Sequence, residues 1–460
     1  MSPPQSTLWH QDVAHLVHPY SNLDAHTTRG PTVITRGDGC YVYDEHGRRF
    51  LEGMSGLWCA SLGFSEKRLV QAATAQLDTL PYYHLFNHRS HPPGIALAQA
   101  LTALAPAGLN HVLFANSGSE ANDAAVKLVW YYNNALGRPK KKKIISRLYG
   151  YHGVTVASGS LTGLTHLHLD FDLPLPGILH TDCPSHYHFG QPGESEEAFA
   201  QRLADNLEQL ILREGPDTVA AFIAEPINGS GGVIVPPAGY FERVQAILKK
   251  YDILFIVDEV ICGFGRTGRL FGSEVFDLKP DMMTVAKGLS AAYQPISGLL
   301  LTDAIHDAMK DESRKHGVFA HGLTYAAHPV AAAVALEALA IYRERDIVGH
   351  VQAVSPHLFQ RLRELEDHPL VGQVRGMGLL AAVEITADKS ARRPFPTAAG
   401  IGAFIQGRAM EHGVIVRAVG NCIALCPPLI SERAHLDELV DGLARAFDDG
   451  LAHARQHQLI

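Results

Sequence analysis

The stretch that most constrains the fold is a continuous apolar run at 253–257 that ends on Asp258. A run without polar interruption is typical of a parallel strand covered on both faces, where a buried carboxylate is costly and needs a partner. A second apolar run, at 282–286, leads directly into Lys287. Because parallel α/β sheets bind ligands at the carboxyl ends of their strands, we expect Asp258 and Lys287 at one edge of a sheet.

A buried acid and an amine at adjacent strand ends suit the cofactor pyridoxal phosphate. The lysine would form a Schiff base with the cofactor's aldehyde, and the acid would keep the ring nitrogen protonated. A structural Asp–Lys ion pair at a strand end is the alternative interpretation, so other parts of the sequence must decide between the two.

A candidate phosphate site lies at 116–122, NSGSEAN, which follows a short apolar run and opens a helical pattern. Ser117 and Glu120 have the spacing of a capping box. The small residues Gly118 and Ser119 would let an anion approach the backbone N–H groups of the helix N-terminus. An ordinary capped helix is the alternative.

Two further strand ends carry candidate site residues. Tyr151, in YGYHG, follows the apolar run IIS, and its ring could stack on a planar cofactor. Glu225 ends the run VAAFIA and is a second carboxylate that needs a partner. The alternatives are an ordinary turn tyrosine and a Glu-Pro that simply ends a strand.

Between about 110 and 325, apolar strands alternate with helical patterns, which predicts an α/β fold with a mainly parallel sheet. The predicted strands are 111–115, 143–146, 155–160, 219–224, 253–257, 282–286 and 297–301. The predicted helices lie near 119–136, 196–213 and 238–250. From about 340 the pattern becomes that of a smaller α+β domain, which we expect the antiparallel meander at 30–52 to complete. The predicted domains are 1–70 and 336–460 for the smaller one and 71–335 for the larger one.

Composition argues against several classes of protein. The 39 basic and 47 acidic side chains give a net charge of −8, with Lys140 to Lys143 as the only basic block, so no nucleic-acid partner is expected. No window approaches the roughly 20 apolar residues of a membrane span. The first residues lack a secretory signal, and the six cysteines form no CxxC pair, so we expect a cytoplasmic protein with reduced thiols. The histidines at 165–169 and 185–189 lack a metal-binding pattern, and no metal site is expected.

The segment GFGRTG at 263–268 matches the dinucleotide-binding pattern GxGxxG and follows a strand. No helical pattern opens after Gly268, which that motif requires. An NAD-dependent oxidoreductase is therefore a disfavoured alternative from another enzyme class. A catalytically silent binding protein is a further alternative, and Lys287 and Asp258 together argue against it.

Six segments in this order, NSGSEAND, YGYHG, AEPINGSGG, VDEVICGFGRTGRLFG, AKGLS and HGLTY, resemble the class III (ω-amino) aminotransferases of PLP fold type I. The similarity runs from about 19 to 447, and MSGLWC with VRAVGN is most similar to the amine and ω-amino acid:pyruvate aminotransferases. The resemblance implies ping-pong transfer of an amino group from a primary amine, ω-amino acid or diamine to pyruvate. A 2-oxoglutarate-dependent 4-aminobutyrate-type enzyme, or an isomerase on the same fold, is the alternative.

The resemblance also implies roles for individual residues. Lys287 and Asp258 would be catalytic. The cofactor would be bound by Ser117, Gly118, Ser119, Tyr151, His152, Glu225, Asp258, Val260, Lys287 and Thr324. Thr324 would reach the phosphate of a neighbouring subunit, which implies a homodimer or a dimer of dimers with shared sites. Leu57, Trp58, Phe86 and Tyr151 would wall the substrate pocket, and Arg417 would be a movable cation for the keto-acid carboxylate. Asn87, Asn228 and Ser230 stand where related enzymes vary, which leaves the donor open.

Overall fold

The computed structural model describes residues 6–460, beginning with two helices that bury no residue: α1 (Thr7–His15) and α2 (Leu23–Arg29). Side chains cap both, because Ser6 accepts a hydrogen bond from the Trp9 N–H and Asn22 from the Ala25 N–H. The sequence did not predict these helices. Their lack of a buried face means that packing alone contributes little to their order.

The predicted meander is confirmed as three antiparallel strands, β1 (Ile34–Asp38), β2 (Tyr41–Asp44) and β3 (Arg49–Glu52). β3 also pairs in parallel with a short strand at Val414–Ile415. Three helices follow: α3 (Ser55–Trp58), α4 (Lys67–Thr79) and α5 (Pro92–Leu104).

A seven-stranded sheet forms the centre of the molecule. Its strands are β4 (Leu109–Ala115), β5 (Lys143–Arg147), β6 (Ile178–Thr181), β7 (Val219–Ala224), β8 (Leu254–Asp258), β9 (Met282–Val285) and β10 (Ser297–Thr302). Their order is β4-β10-β9-β8-β7-β5-β6, and β10 is the one strand of this sheet that runs opposite to the other six. The prediction of an α/β fold with a mainly parallel sheet is thereby confirmed.

Helices cover both faces of this sheet. They are α6 (Gly118–Ala135), α7 (Val156–Leu161), α8 (His186–Phe189), α9 (Glu196–Glu214), α10 (Tyr240–Lys250), α11 (Asp303–His316) and α12 (Pro329–Glu344). In β8, Ile256 packs in the core that includes α6, whereas Phe255 and Val257 pack in the core that includes α9 and α10. Successive side chains of a strand point to opposite faces, so both faces of β8 are buried and the whole run is apolar.

The C-terminal part adds the remaining elements. They are α13 (Ile347–Arg363), β11 (Val371–Met377), β12 (Leu380–Ile385), α14 (Ile401–Glu411), β13 (Val414–Ile415), β14 (Arg417–Ala418), β15 (Cys422–Leu425) and α15 (Arg433–Gln456). β11, β12, β15 and β14 form an antiparallel sheet in that order, while β13 joins the N-terminal meander. The domain bounds 1–70, 71–335 and 336–460 stay a prediction.

The predicted strand at 155–160 is wrong, because this segment forms helix α7. The Ser158 N–H donates to the Asp123 carboxylate of α6 at 2.7 Å, and the Thr155 hydroxyl and the Ser158 hydroxyl lie 2.7 Å apart. Such side-chain contacts from Ser, Thr and Asp organise short helices and turns that apolar patterning does not reveal. β6, which was not predicted, forms an edge strand of the central sheet.

Among the described residues, no helix is long and apolar enough to cross a bilayer.

Candidate functional site

A cavity of about 440 Å³ opens where β5, β7, β8 and β9 end, within the range typical of small-molecule sites. Most of the predicted site residues line it: Leu57, Ser117, Gly118, Ser119, Tyr151, His152, Glu225, Asp258, Val260 and Lys287. The structure thus brings together residues from six separate segments of the chain.

Asp258 ends β8 and is almost fully buried. Its Oδ2 accepts hydrogen bonds from Asn122 Nδ2 at 2.8 Å and from His152 Nδ1 at 2.9 Å, and its Oδ1 accepts from the Val260 N–H at 3.1 Å. Three donors compensate the cost of burying the carboxylate. The acid is therefore held in one orientation at the cavity.

Lys287 follows β9 with a φ of 46°, in the left-handed region that a side chain rarely adopts. Such a conformation costs on the order of 1–3 kcal/mol and is concentrated at functional sites. Burial lowers the pKa of the Lys287 amine below its ordinary value, and the negative charge of Asp258 only partly opposes this shift. A lowered pKa leaves more of the amine neutral, which is the nucleophilic and basic form.

The N-terminus of α6 lies at the cavity, and the capping box of Ser117 and Glu120 is confirmed. The Glu120 carboxylate accepts hydrogen bonds from the N–H groups of Asn116 and Ser117. The N–H groups of Gly118 and Ser119, in the first turn, have no partner within the helix and remain available to an anion. A Cβ on Gly118 would lie 3.1 Å from Val260, so space here is tight.

Glu225 and Tyr151 are linked on another wall of the cavity. Glu225 Oε1 accepts from the Tyr151 N–H and Oε2 accepts from the Gly229 N–H, both at 2.9 Å. Burial raises the pKa of the Glu225 carboxyl. Burial, and secondly the hydrogen bond with Tyr20 at 3.3 Å between hydroxyls, raise the pKa of Tyr151, whereas the charge of Arg417 opposes that rise.

The other predicted residues lie outside the cavity lining of a single chain. Trp58 is 2% exposed, packs in a core with Met54, and leaves its indole nitrogen without a partner among the described residues. Phe86 is exposed, with its ring against Gly322. Thr324 is exposed, and its carbonyl accepts a hydrogen bond from the Tyr82 hydroxyl. Arg417 lies in β14. The roles proposed for these four residues stay predictions.

Sequence reasoning missed Asn122 and the half-buried Cys59, which also line the cavity. The signal for Asn122 was present, because it lies four residues after Gly118 and therefore on the same face of α6. Cys59 gave no comparable signal, since its position depends on the turn at α3.

These features fit pyridoxal phosphate, as four observations indicate. The cavity holds a lysine with a lowered pKa, a buried carboxylate with its orientation fixed, a helix N-terminus with free N–H groups, and enough volume for a small molecule. Asn122 Oδ1 and His152 Nε2 are buried without partners within residues 6–460, which marks this region as polar and incompletely satisfied without a ligand.

The fold and site define a pyridoxal-phosphate-dependent transaminase of fold type I, and comparisons with known proteins agree. The family model for class-III aminotransferases matches residues 23–447. γ-Aminobutyrate transaminase 3 of tomato, Solanum lycopersicum, described as chloroplastic, is 54% identical over 91% of this chain and 81% of its own length. The chain belongs to the class III aminotransferase family.

Two solved structures are similar over nearly the whole fold. The ω-transaminase of Pseudomonas jessenii in complex with PMP is 52% identical, with a TM-score of 0.96, 97% of this chain and 99% of that chain covered. A transaminase with L-alanine is 55% identical, with a TM-score of 0.90, 91% and 99% covered. As a member of this family the protein uses pyridoxal phosphate as its cofactor.

Proposed function

We propose that the protein transfers an amino group from a primary amine, an ω-amino acid or a diamine to pyruvate, yielding an aldehyde or ketone and alanine in a ping-pong cycle. The observation that carries this proposal is that Lys287, Asp258 and Tyr151 line one cavity. Arg417 in β14 adds a cation, whose charge opposes the rise in the pKa of Tyr151. A cation there can bind a keto-acid carboxylate. The similar transaminase structure that contains L-alanine supports alanine as the product.

The residues of this chain have distinct roles in the proposed reaction. When bound, pyridoxal phosphate supplies an aldehyde for the amino group and a ring that takes up electrons as the donor carbon loses its proton. The Lys287 amine would move that proton from the donor carbon to the C4′ carbon of the cofactor, for which a lowered pKa is suited. Asp258 keeps the ring nitrogen protonated, and the Gly118 and Ser119 N–H groups hold the phosphate.

A 4-aminobutyrate-type enzyme with 2-oxoglutarate as the acceptor is the second candidate. It is favoured by the γ-aminobutyrate transaminase name of the tomato relative. Both candidates use the same cofactor site and differ only in the substrates that the pocket admits.

A panel of donors and acceptors distinguishes them. Putrescine, β-alanine, 4-aminobutyrate, 6-aminohexanoate and 1-phenylethylamine are each incubated with pyruvate or 2-oxoglutarate, and alanine and glutamate are quantified. We expect alanine from pyruvate with several donors. Glutamate formation from 4-aminobutyrate, with little alanine from any donor, would replace the proposal by the second candidate.

We also propose a homodimer, or a dimer of dimers, with shared active sites. Tyr82 and Tyr325 are exposed, their rings lie 5.8 Å apart, and the Tyr82 hydroxyl bonds the exposed Thr324. Phe86 is a third large exposed side chain of the same loop as Tyr82. Exposed aromatic side chains grouped in this way are typical of protein interfaces.

A cytoplasmic location is proposed on the six free cysteines, which suit a reducing compartment. Relatives described as chloroplastic or mitochondrial make an organelle the competing location. Fractionation of the source cells, followed by immunodetection, distinguishes the two.

A further inference from the structure

Three side chains of the types that bind metal ions lie close together in the N-terminal segment, outside the cofactor cavity. Asp12 belongs to α1, His18 to the loop after it, and His26 to α2. His18 Nε2 lies 2.8 Å and His26 Nε2 2.9 Å from the same oxygen, Asp12 Oδ1. The three side chains are between 12% and 26% exposed, so they are shielded from solvent without being inaccessible.

This donor set suits a transition-metal ion. Two imidazole nitrogens and one carboxylate oxygen, all within 4.8 Å of one another, match a three-ligand site with a remaining position for water. The oxygen-only preference of Mg²⁺ and Ca²⁺ makes those ions poor candidates.

The two helices that carry Asp12 and His26 gain little order from the burial of their own side chains. α1 and α2 bury no residue, although Trp9 of α1 packs against Gly30 after α2. The three ligands fall within a short stretch of chain, so gathering them costs little loop entropy. Tyr20 lies between His18 and His26, and its hydroxyl reaches that of Tyr151 at the cofactor cavity.

We propose that Asp12, His18 and His26 bind one divalent transition-metal ion, with Zn²⁺ as the preferred chemistry, and that this ion joins α1 to α2 and holds Tyr20 beside Tyr151. The ion joins the two helices and takes no part in amino transfer. The site is independent of the donor and acceptor that the enzyme uses.

The test uses untagged holoenzyme that has been treated with a chelator and then titrated with Co²⁺, whose visible bands report nitrogen and oxygen coordination. We expect one site per chain in the wild type and at least about 100-fold weaker binding in His18→Ala and His26→Ala, since even outer-shell changes cost about 10–100-fold. His15→Ala, which removes an exposed histidine of α1, is the matched control and should bind normally. Unchanged Co²⁺ binding in the His18→Ala, His26→Ala double variant would overturn the proposal.

Hydrogen exchange of residues 6–30 provides a second readout that does not depend on activity. We expect Zn²⁺ to slow exchange in this segment in the wild type and in His15→Ala, but not in His26→Ala. Equal exchange with and without Zn²⁺ in the wild type would refute the joining of α1 to α2.

Discussion

Asp258 depends on its neighbours, because burying a carboxylate is costly unless hydrogen-bond donors compensate it. Two of its three donors, Asn122 and His152, are side chains that sequence motifs do not relate to it directly. The position of Asp258 therefore depends on Asn122 and His152, and this dependence can be tested by substituting Asn122.

Asn122→Ala should weaken pyridoxal phosphate binding roughly 10-fold to 100-fold, since a hydrogen bond to a charged group is worth about 1.5–3 kcal/mol. The dissociation constant is measured by dialysis and cofactor fluorescence. Asn133→Ala is the matched control, because Asn133 is also a buried asparagine of α6, but its side-chain amide donates to the Val129 carbonyl of the same helix. It should lower the melting temperature and leave cofactor affinity unchanged; equal affinity losses would contradict the role of Asn122.

Arg417→Ala should lower kcat/KM for pyruvate by roughly 10-fold to 100-fold, the value of one charge-assisted contact. The value for 1-phenylethylamine should change little, because that donor carries no carboxylate. Steady-state kinetics with each substrate varied in turn provide the measurement. Arg433→Ala, at an exposed position at the start of α15, is the control. Similar losses for both substrates would remove Arg417 from the proposed pocket.

At the scale of elements, the loop between β5 and α7 brings Tyr151 and His152 to the cavity and contains a glycine that tolerates no side chain. Gly153 has a φ of 135°, and a Cβ there would lie 2.3 Å from Ser158 Oγ and 2.5 Å from Ser119 Oγ. The backbone conformation of Gly153 and its close contacts both exclude a side chain there. The contact with Ser119 also packs this loop against the N-terminus of α6.

Gly153→Ala should therefore lower the melting temperature clearly and also weaken cofactor binding by displacing Ser119. Gly137→Ala provides the comparison, because Gly137 follows α6 with a φ of 70° and open space around its Cα. Alanine there should cost only about 1–2 kcal/mol, the penalty for the left-handed conformation. Differential scanning fluorimetry and cofactor titration measure both effects, and a larger loss at Gly137 would contradict this account.

Elements with a continuous apolar run were predictable from the sequence, as β8 and the segment leading to Lys287 illustrate. Such a run is typical of a strand that is buried on both faces of a parallel sheet. β6 was missed because an edge strand that contains His180 needs no such run. α11 was missed because its exposed face reads as a polar stretch, with Ile305 and Met309 as its only buried apolar residues.

The site was predictable where a residue type carries the chemistry locally, as Lys287, Asp258 and Gly118 do. It was not predictable where function depends on distant chain segments. The contact between Tyr20 and Tyr151, and the meeting of Asp12, His18 and His26, arise from how the N-terminal segment folds back. No spacing pattern in a single sequence encodes such contacts.

At the scale of the whole molecule, stability should depend on pH through buried carboxyls. Burial raises the pKa of Glu52, at the end of β3, to about 7 from an ordinary value of 4.5. The unfolded chain loses this proton near pH 4.5 whereas the folded protein retains it, so the free energy of unfolding falls as pH rises from 4.5 to 7.

Glu52→Gln removes this dependence. The stability of the variant relative to the wild type should increase by up to about 3 kcal/mol between pH 5 and pH 8, because each pKa unit is worth about 1.4 kcal/mol. Melting temperatures at both pH values provide the measurement. The exposed Glu366→Gln is the control and should show no such change. A constant difference between Glu52→Gln and wild type at the two pH values would contradict the raised pKa.

Shared active sites predict complementation between subunits. Lys287→Ala alone should abolish turnover, and Thr324→Asp alone should repel the phosphate of the neighbouring site. A hybrid dimer of the two variants contains one site with both native residues, so mixing after dissociation should restore activity. Activity assays are combined with light scattering to confirm that hybrids form. Hybrids without activity would place Thr324 outside the partner's site.

The parallel pairing of β3 with β13 joins Leu51 to Val414. A ribosome completes the first of these strands long before it makes the second. The edge of β3 therefore stays unpaired while the entire central sheet, β4 to β10, is translated. Unpaired strand edges promote aggregation. Slow translation of the C-terminal third, or the absence of a chaperone, should thus reduce the yield of native protein more than any change at the catalytic centre.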